Sequence, residues 1–181
     1  TLSGGLQQSC NPVMMTLGAR IGSQTFYNYV KQFGYLEKTG IELPGEGGSI
    51  FYPESSFGEV DLAVSSFGQN FKITAIQQIC GIAAVANGGY LVTPHVVDKI
   101  TDKDGHILYQ FENKIKRQVV SSEVCKSVSS MLEAGVSGDG GAKNARVIGY
   151  KVAAKTGTSQ KFDVLDENGN SYLRIGSTVA Y

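Results

Sequence analysis

The sequence predicts an α+β fold, with helices first and an antiparallel sheet late in the chain. Three observations carry that prediction. Apolar residues recur at helical spacing over 11–34, 74–87 and 121–132, the period of an amphipathic helix. Strand-like runs collect in the second half, at 96–111, 150–158 and 171–181. Helices and strands do not alternate along the chain, which argues against repeated βαβ units.

Each element has its own local warrant. Asn11-Pro12 starts the first helix, because asparagine caps well and proline suits the first helical position. Val13, Met14, Leu17 and Ile21 follow at helical spacing, and Gly22 closes the helix. Ser23 caps the next, with Phe26, Tyr27, Val30 and Phe33 on one face and Gly34 at the end. Residues 35–72 lack clear periodicity, hold many glycines with Pro44 and Pro53, and read as a long ordered loop. Thr74 to Asn87 reads as a strong helix, with Ile76, Ile79, Cys80 and Ala83 inward and Gly88-Gly89 stopping it. Val96–Thr101 and Ile107–Phe111 flank Asp102-Lys103-Asp104-Gly105, whose residues suit a hairpin turn. Ser121 or Ser122 then caps a helix carrying Val124, Val128, Met131 and Leu132, and Gly135–Gly141 reads as a flexible glycine-rich stretch. Strands 150–158 and 171–181 finish the chain, joined by a polar turn around Asp166-Glu167-Asn168-Gly169-Asn170.

At 181 residues the chain is one domain's worth, enough to bury a core. Residues 1–89 are mainly helical, and 90–181 hold the hairpin, a helix and the sheet strands. Sixteen basic residues balance sixteen acidic ones, so no net field favours nucleic acid or an anionic membrane surface. No run approaches the roughly 18 apolar residues of a membrane span. Cys10, Cys80 and Cys125 lack metal-ligand spacing, and Cys80 and Cys125 fall on apolar helix faces as ordinary buried thiols. Neither a metal nor a cofactor is expected. With no initiating methionine and a last strand still running at Tyr181, the chain reads as a piece of a longer protein.

Two short motifs carry chemistry. Lys155-Thr156-Gly157-Thr158 ends a strand-like run, and Ser9-Cys10-Asn11 stands just before a helix. An acyl-transfer site needs a nucleophile, a group to move its proton, and donors where the oxyanion develops. Lys155 on a strand places an ammonium at a cleft, where it favours an anionic substrate group. Thr156 and Thr158 fall on one face of that strand, so both hydroxyls can bind a carboxylate, and Gly157 between them leaves room for a substrate backbone. Taken singly, each motif also has a plain structural explanation: an exposed strand with a turn, and a helix cap. Other candidates fail outright. In 135–143 a glycine stands where a phosphate loop needs its lysine; His95 and His106 have no partner spacing; and Lys114-Ile115-Lys116-Arg117 reads as a solvated strand edge.

The surroundings of these motifs resemble one family over nearly the whole chain. Leu6–Val13 resembles the second-motif (S-x-N) region of class B penicillin-binding proteins. Ser66-Phe67-Gly68-Gln69, then Thr74–Gln78 leading to Ala86-Asn87-Gly88-Gly89, is similar to the same family's loop and helix. Gly141–Ala145 and Gly149–Thr158 resemble its approach to the third motif, K-T-G. The family's first motif, S-x-x-K, is not matched, because no serine here has a lysine three residues later.

The resemblance implies a partial transpeptidase fold of the serine β-lactamase-like kind, a helical part plus an incomplete antiparallel sheet. It implies a septal or spore-cortex D,D-transpeptidase that cross-links peptidoglycan stem peptides, on the extracytoplasmic face of a bacterial membrane. Ser9 would help pass a proton to the leaving amine, and Asn11 would reach the substrate carbonyl and the first-motif lysine. Lys155 would hydrogen-bond Ser9 and hold the positive potential. Thr156 and Thr158 would bind the carboxylate of a D-Ala-D-Ala stem or a β-lactam, with Gly157 giving access, and the Thr158 N–H would be one oxyanion donor. The nucleophile would lie upstream of Thr1, leaving this piece inactive alone. Partners implied are stem peptide, β-lactams, division or sporulation proteins, and a second copy pairing through the open sheet edge; nucleic acid is not among them. Competing readings are a non-catalytic stem-peptide or partner-binding module and a β-lactamase or β-lactam sensor of the same fold.

Overall fold

The computed structural model describes residues 1–161, 164–171 and 173–181. Tyr172, within the expected strand 171–181, lies outside the described residues. Among those described, helices α1 (Leu2–Gln7), α2 (Asn11–Ile21), α3 (Ser23–Gln32), α4 (Glu59–Ser66), α5 (Ala75–Ala86) and α6 (Ser122–Ser137) are joined by six strands. These are β1 (Tyr90–Val92), β2 (Lys99–Thr101), β3 (Ile107–Gln110), β4 (Ile115–Gln118), β5 (Ala154–Gln160) and β6 (Arg174–Ala180). They pair as β1–β4, β2–β3 and β5–β6, all antiparallel. The fold is α+β, as expected. Two compact units form, one from Thr1–Phe26, Pro53–Phe71 and Ser127–Tyr181, the other from Tyr27–Tyr52 and Lys72–Lys126.

In the first unit, α1 was not legible beforehand; Thr1 caps it by accepting from the Gly4 N–H at 3.2 Å. Helix α2 begins with Asn11 and Pro12 inside it, so the cap is Cys10 and not Asn11. The Cys10 carbonyl accepts from Val13 and Met14, Pro12 has no N–H to satisfy, and no side chain caps the helix. Ser23 is likewise the first residue of α3 rather than its cap. The expected loop 35–72 contains a short 3-10 turn at Glu54–Ser56 and the whole of α4. Asp61 starts α4 by accepting from the Gly58 N–H at 3.0 Å. Gly18 of α2 lets α4 approach, since a Cβ there would overlap the Ser66 hydroxyl. Gly135–Gly141 is packed at both Gly135 and Gly140: Gly135 lies in α6, Gly140 is buried, and a Cβ on Gly140 would run into the Gly135 backbone. Val136, Ala142 and Ala154 form a small core there, with Ala145 and Val152 against it. That anchor places the start of β5 at Ala154, four residues later than the run from Tyr150 suggested.

In the second unit, α5 is opened by a reciprocal cap: Thr74 Oγ1 accepts from the Gln77 N–H, and Gln77 Oε1 accepts from the Thr74 N–H at 2.9 Å. Its inward face differs from expectation. Gln77, Cys80, Gly81 and Ala84 are buried, whereas Ile79 is 59% exposed. Gly81 admits Tyr35, whose hydroxyl a Cβ would overlap, and Gln77 Nε2 donates to the Glu37 carbonyl at 2.8 Å. Burial pushes the Tyr35 hydroxyl up to about 12. Gly89 adopts φ +106° and leads into β1, with a Cβ there blocked by the Val120 carbonyl. The basic run 114–117 leads into and along β4, a mostly exposed strand paired with β1 in a two-stranded sheet, and its Arg117 pairs with Glu37 at 2.7 Å. The β2–β3 hairpin forms around the expected turn. Ser121 caps α6 through the Val124 N–H, and Val124 itself is exposed while Cys125 is buried.

Candidate active site

Ser9 stands in the three-residue break between α1 and α2, in a left-handed backbone conformation with φ +50°. A non-glycine residue there is uncommon and strained. Hydrogen bonds back to α1 and across to the glycine-rich stretch hold the break. The Cys10 N–H donates to the Gly5 carbonyl at 2.8 Å, and the Gly141 N–H donates to the Gln7 carbonyl at 3.0 Å. Gln8 Nε2 adds a bond to the Asp139 carbonyl at 3.2 Å. The glycine-rich stretch is therefore a clamp on the segment that presents Ser9. A Cβ on Gly141 would also lie 3.8 Å from Thr156 Oγ1, so the same loop touches β5.

The register of β5 decides what its free edge offers. Ala153 and Tyr181 exchange both N–H···O bonds, at 2.9 and 3.0 Å. Hydrogen-bonded pairs in an antiparallel ladder then recur at every second residue, namely Lys155, Gly157 and Ser159 against Val179, Ser177 and Ile175. The Thr156 and Thr158 N–H and C=O groups consequently point away from β6, toward the edge that no other strand covers among the described residues. The Lys155 ammonium donates to Ser9 Oγ and to the Thr156 carbonyl at 2.7 Å. Partial burial of Lys155 lowers its pKa from the ordinary lysine value by desolvation. As an ammonium, it brings a positive charge to a hydroxyl that is remote in sequence.

The expected residues thus divide. Ser9 and Lys155 are in contact, and Thr156 and Thr158 share one face of β5. Asn11 is exposed on the first turn of α2, two residues from Ser9. Gly157 has a reason of its own to lack a side chain: a Cβ would sit 2.8 Å from the Ser177 hydroxyl across the ladder. One neighbour was missed. Gln69 Nε2 donates to the Thr158 carbonyl at 2.9 Å. Its block was legible as family resemblance, but nothing in sequence says that a glutamine 89 positions away reaches β5.

Known proteins resemble this chain along its whole length. The penicillin binding protein transpeptidase domain matches residues 1–181. Stage V sporulation protein D of Bacillus subtilis is 41% identical over 86% of this chain and 24% of its own length. Peptidoglycan D,D-transpeptidase FtsI of Escherichia coli is 25% identical over 99% of this chain and 29% of its own. The chain spans about a quarter of the length of these curated relatives. A crystal structure of penicillin binding protein 3 from Mycobacterium tuberculosis, complexed with ampicillin, superposes with a TM-score of 0.88 at 27% identity, covering 99% of this chain and 41% of that one. A match over every residue, on a fold with these two motifs meeting at β5, leaves one assignment: the chain belongs to the penicillin-binding protein transpeptidase domain family, of the class B kind its motifs resemble.

Proposed function

We propose that this chain is the second- and third-motif part of a peptidoglycan D,D-transpeptidase working by serine acyl transfer. The observation that carries the reading is the hydrogen bond from Lys155 to Ser9, which joins the two motifs at the free edge of β5. In the proposed step, the hydroxyl of a serine in an S-x-x-K motif, absent from these residues, attacks the penultimate D-Ala carbonyl. The new C–O bond forms, the C–N bond to the terminal D-Ala breaks, and the serine proton reaches the leaving amine through Ser9. An acceptor amine then displaces the serine and completes the cross-link. Lys155 supplies positive potential, Asn11 holds the substrate carbonyl and the first-motif lysine, and Thr156 and Thr158 hold the terminal carboxylate beside Gly157. The Thr158 N–H serves as one oxyanion donor. β-Lactams would occupy the same positions.

The relative named Stage V sporulation protein D supports a role in sporulation; the reading places the domain on the extracytoplasmic face of the membrane, with the anchor outside this chain and sporulation or division proteins as partners. No helix among the described residues is long and apolar enough to cross a membrane. Intact-mass spectrometry after incubation with benzylpenicillin tests the reading. The isolated chain should show no adduct, and the complete transpeptidase a single one. A stable adduct on the isolated chain would mean that a serine within it attacks, overturning the placement of the nucleophile.

A further inference from the structure

Two asparagines in this chain precede glycine, in Asn87-Gly88 and Asn168-Gly169. An asparagine carboxamide can be attacked by the backbone nitrogen of the next residue, and glycine, without a Cβ, hinders that attack least. Both asparagines are exposed, so neither the dipeptide nor solvent contact separates them. Hydrogen bonding does. Asn87 Nδ2 donates to the Tyr90 carbonyl at 2.8 Å, and Asn87 Oδ1 accepts from the Tyr90 N–H at 2.9 Å. Both ends of that carboxamide are engaged, and attack on it must first break two bonds. The Asn168 carboxamide has no hydrogen-bond partner among the described residues.

Asn168 stands in a turn whose hydrogen-bonded frame leaves its side chain out. The Asp166 carboxylate accepts from the Asn168 and Asn170 N–H groups at 2.9 and 2.8 Å. Gly169, at φ +78°, donates its N–H to the Asp166 carbonyl at 3.0 Å. Of the groups that react, only this N–H is bonded, and a bond in an exposed turn opens by local fluctuation. The molecule also shows that the turn accepts the product. Asp102 Oδ1 accepts from the Asp104 and His106 N–H groups at 2.9 Å each. Gly105, at φ +86°, donates to the Asp102 carbonyl at 3.2 Å. Asp104 takes in that turn the place that Asn168 takes in this one, so an aspartate fits the frame.

We propose that Asn168 is a site of spontaneous deamidation in the turn that joins β5 to β6, and that hydrogen bonding protects Asn87. The Gly169 nitrogen bonds to Asn168 Cγ and loses its proton, and the bond from Cγ to the side-chain nitrogen breaks, releasing ammonia. Water then opens the cyclic imide at either carbonyl, leaving aspartate or isoaspartate. The product carries one more negative charge on a chain whose 16 basic and 16 acidic residues balance, so converted molecules separate by isoelectric focusing. The inference is independent of the transpeptidase reading.

The test holds one sample of the chain folded in mildly alkaline buffer, below its measured melting temperature, and a second sample unfolded in urea. Peptide mapping by mass spectrometry follows each asparagine over time. In urea the two should convert alike. In the folded chain Asn168 should convert within about tenfold of its unfolded rate, the scale of one hydrogen bond. Asn87 should fall at least about thirtyfold below its own unfolded rate, the scale of two. Asn168→Gln should abolish the acidic band that grows with time. Equal protection of the two asparagines, faster conversion at Asn87, or an acidic band that grows at the wild-type rate in Asn168→Gln would each overturn the proposal.

Discussion

Ser9 and Lys155 meet because each accepts a local cost. The left-handed backbone at Ser9 (φ +50°) is unfavourable for any residue with a Cβ, by about 1 kcal/mol. Ser9→Gly and Ser9→Ala remove the same hydroxyl, so their difference isolates the backbone cost. Urea unfolding of the isolated chain should find the glycine variant about 1 kcal/mol more stable than the alanine variant. Lys155 bears a different cost, the partial loss of water around its ammonium, which lowers its pKa. The unfolded chain then holds the proton more tightly than the folded one, so stability rises with pH through the window from the depressed value to the ordinary one of about 10.4. Below that window the penalty is fully present. Unfolding midpoints measured toward alkaline pH should show this rise, and Lys155→Met should lack that part of it.

At the scale of elements, much of the helical part was legible and its errors are instructive. Asn11-Pro12 and Thr74 marked helix starts to within a residue, because capping chemistry is local. Helix α4 escaped because eight residues, Glu59–Ser66, carry too little periodicity, and its buried Leu62 makes sense only against Gly18 of α2. The face of α5 was misjudged for another reason. Counting apolar residues put Ile79 inside, yet the carbonyls of Tyr35 and Glu37 need a donor, and Gln77 fills that place at 1% exposure. Gln77→Leu, which keeps the bulk and removes the amide, should therefore destabilise the chain by about 2–3 kcal/mol in denaturant unfolding. Replacing the exposed Ile79 by alanine should cost well under 1 kcal/mol by comparison.

On the scale of the whole molecule, the β5–β6 pair is a two-stranded sheet among the described residues, and such an edge invites another strand. With the outward carbonyls of Thr156 and Thr158, in the middle of β5, engaged by Lys155 and Gln69, pairing with a second copy is expected through β6. Sedimentation velocity should show a concentration-dependent dimer, and Thr178→Pro, on the outward register of β6, should return it to monomer. A chain that stays monomeric at every concentration would reject edge pairing.

What the sequence determined by itself was the set of short-range signals: helix caps, the 102–105 turn, and the order of S-x-N and K-T-G along the chain. These depend on neighbours a few residues apart, and they were enough to indicate an α+β transpeptidase-like chain. The tertiary structure decided which of those residues meet. Lys155 reaches Ser9 only because the glycine clamp at 135–141 holds the end of α1, and Gln69 reaches Thr158 only because α4 exists and ends in a double left-handed turn, at Gly68 and Asn70. The physical reason is that side-chain contacts between distant segments are set by register and packing, which no local pattern encodes.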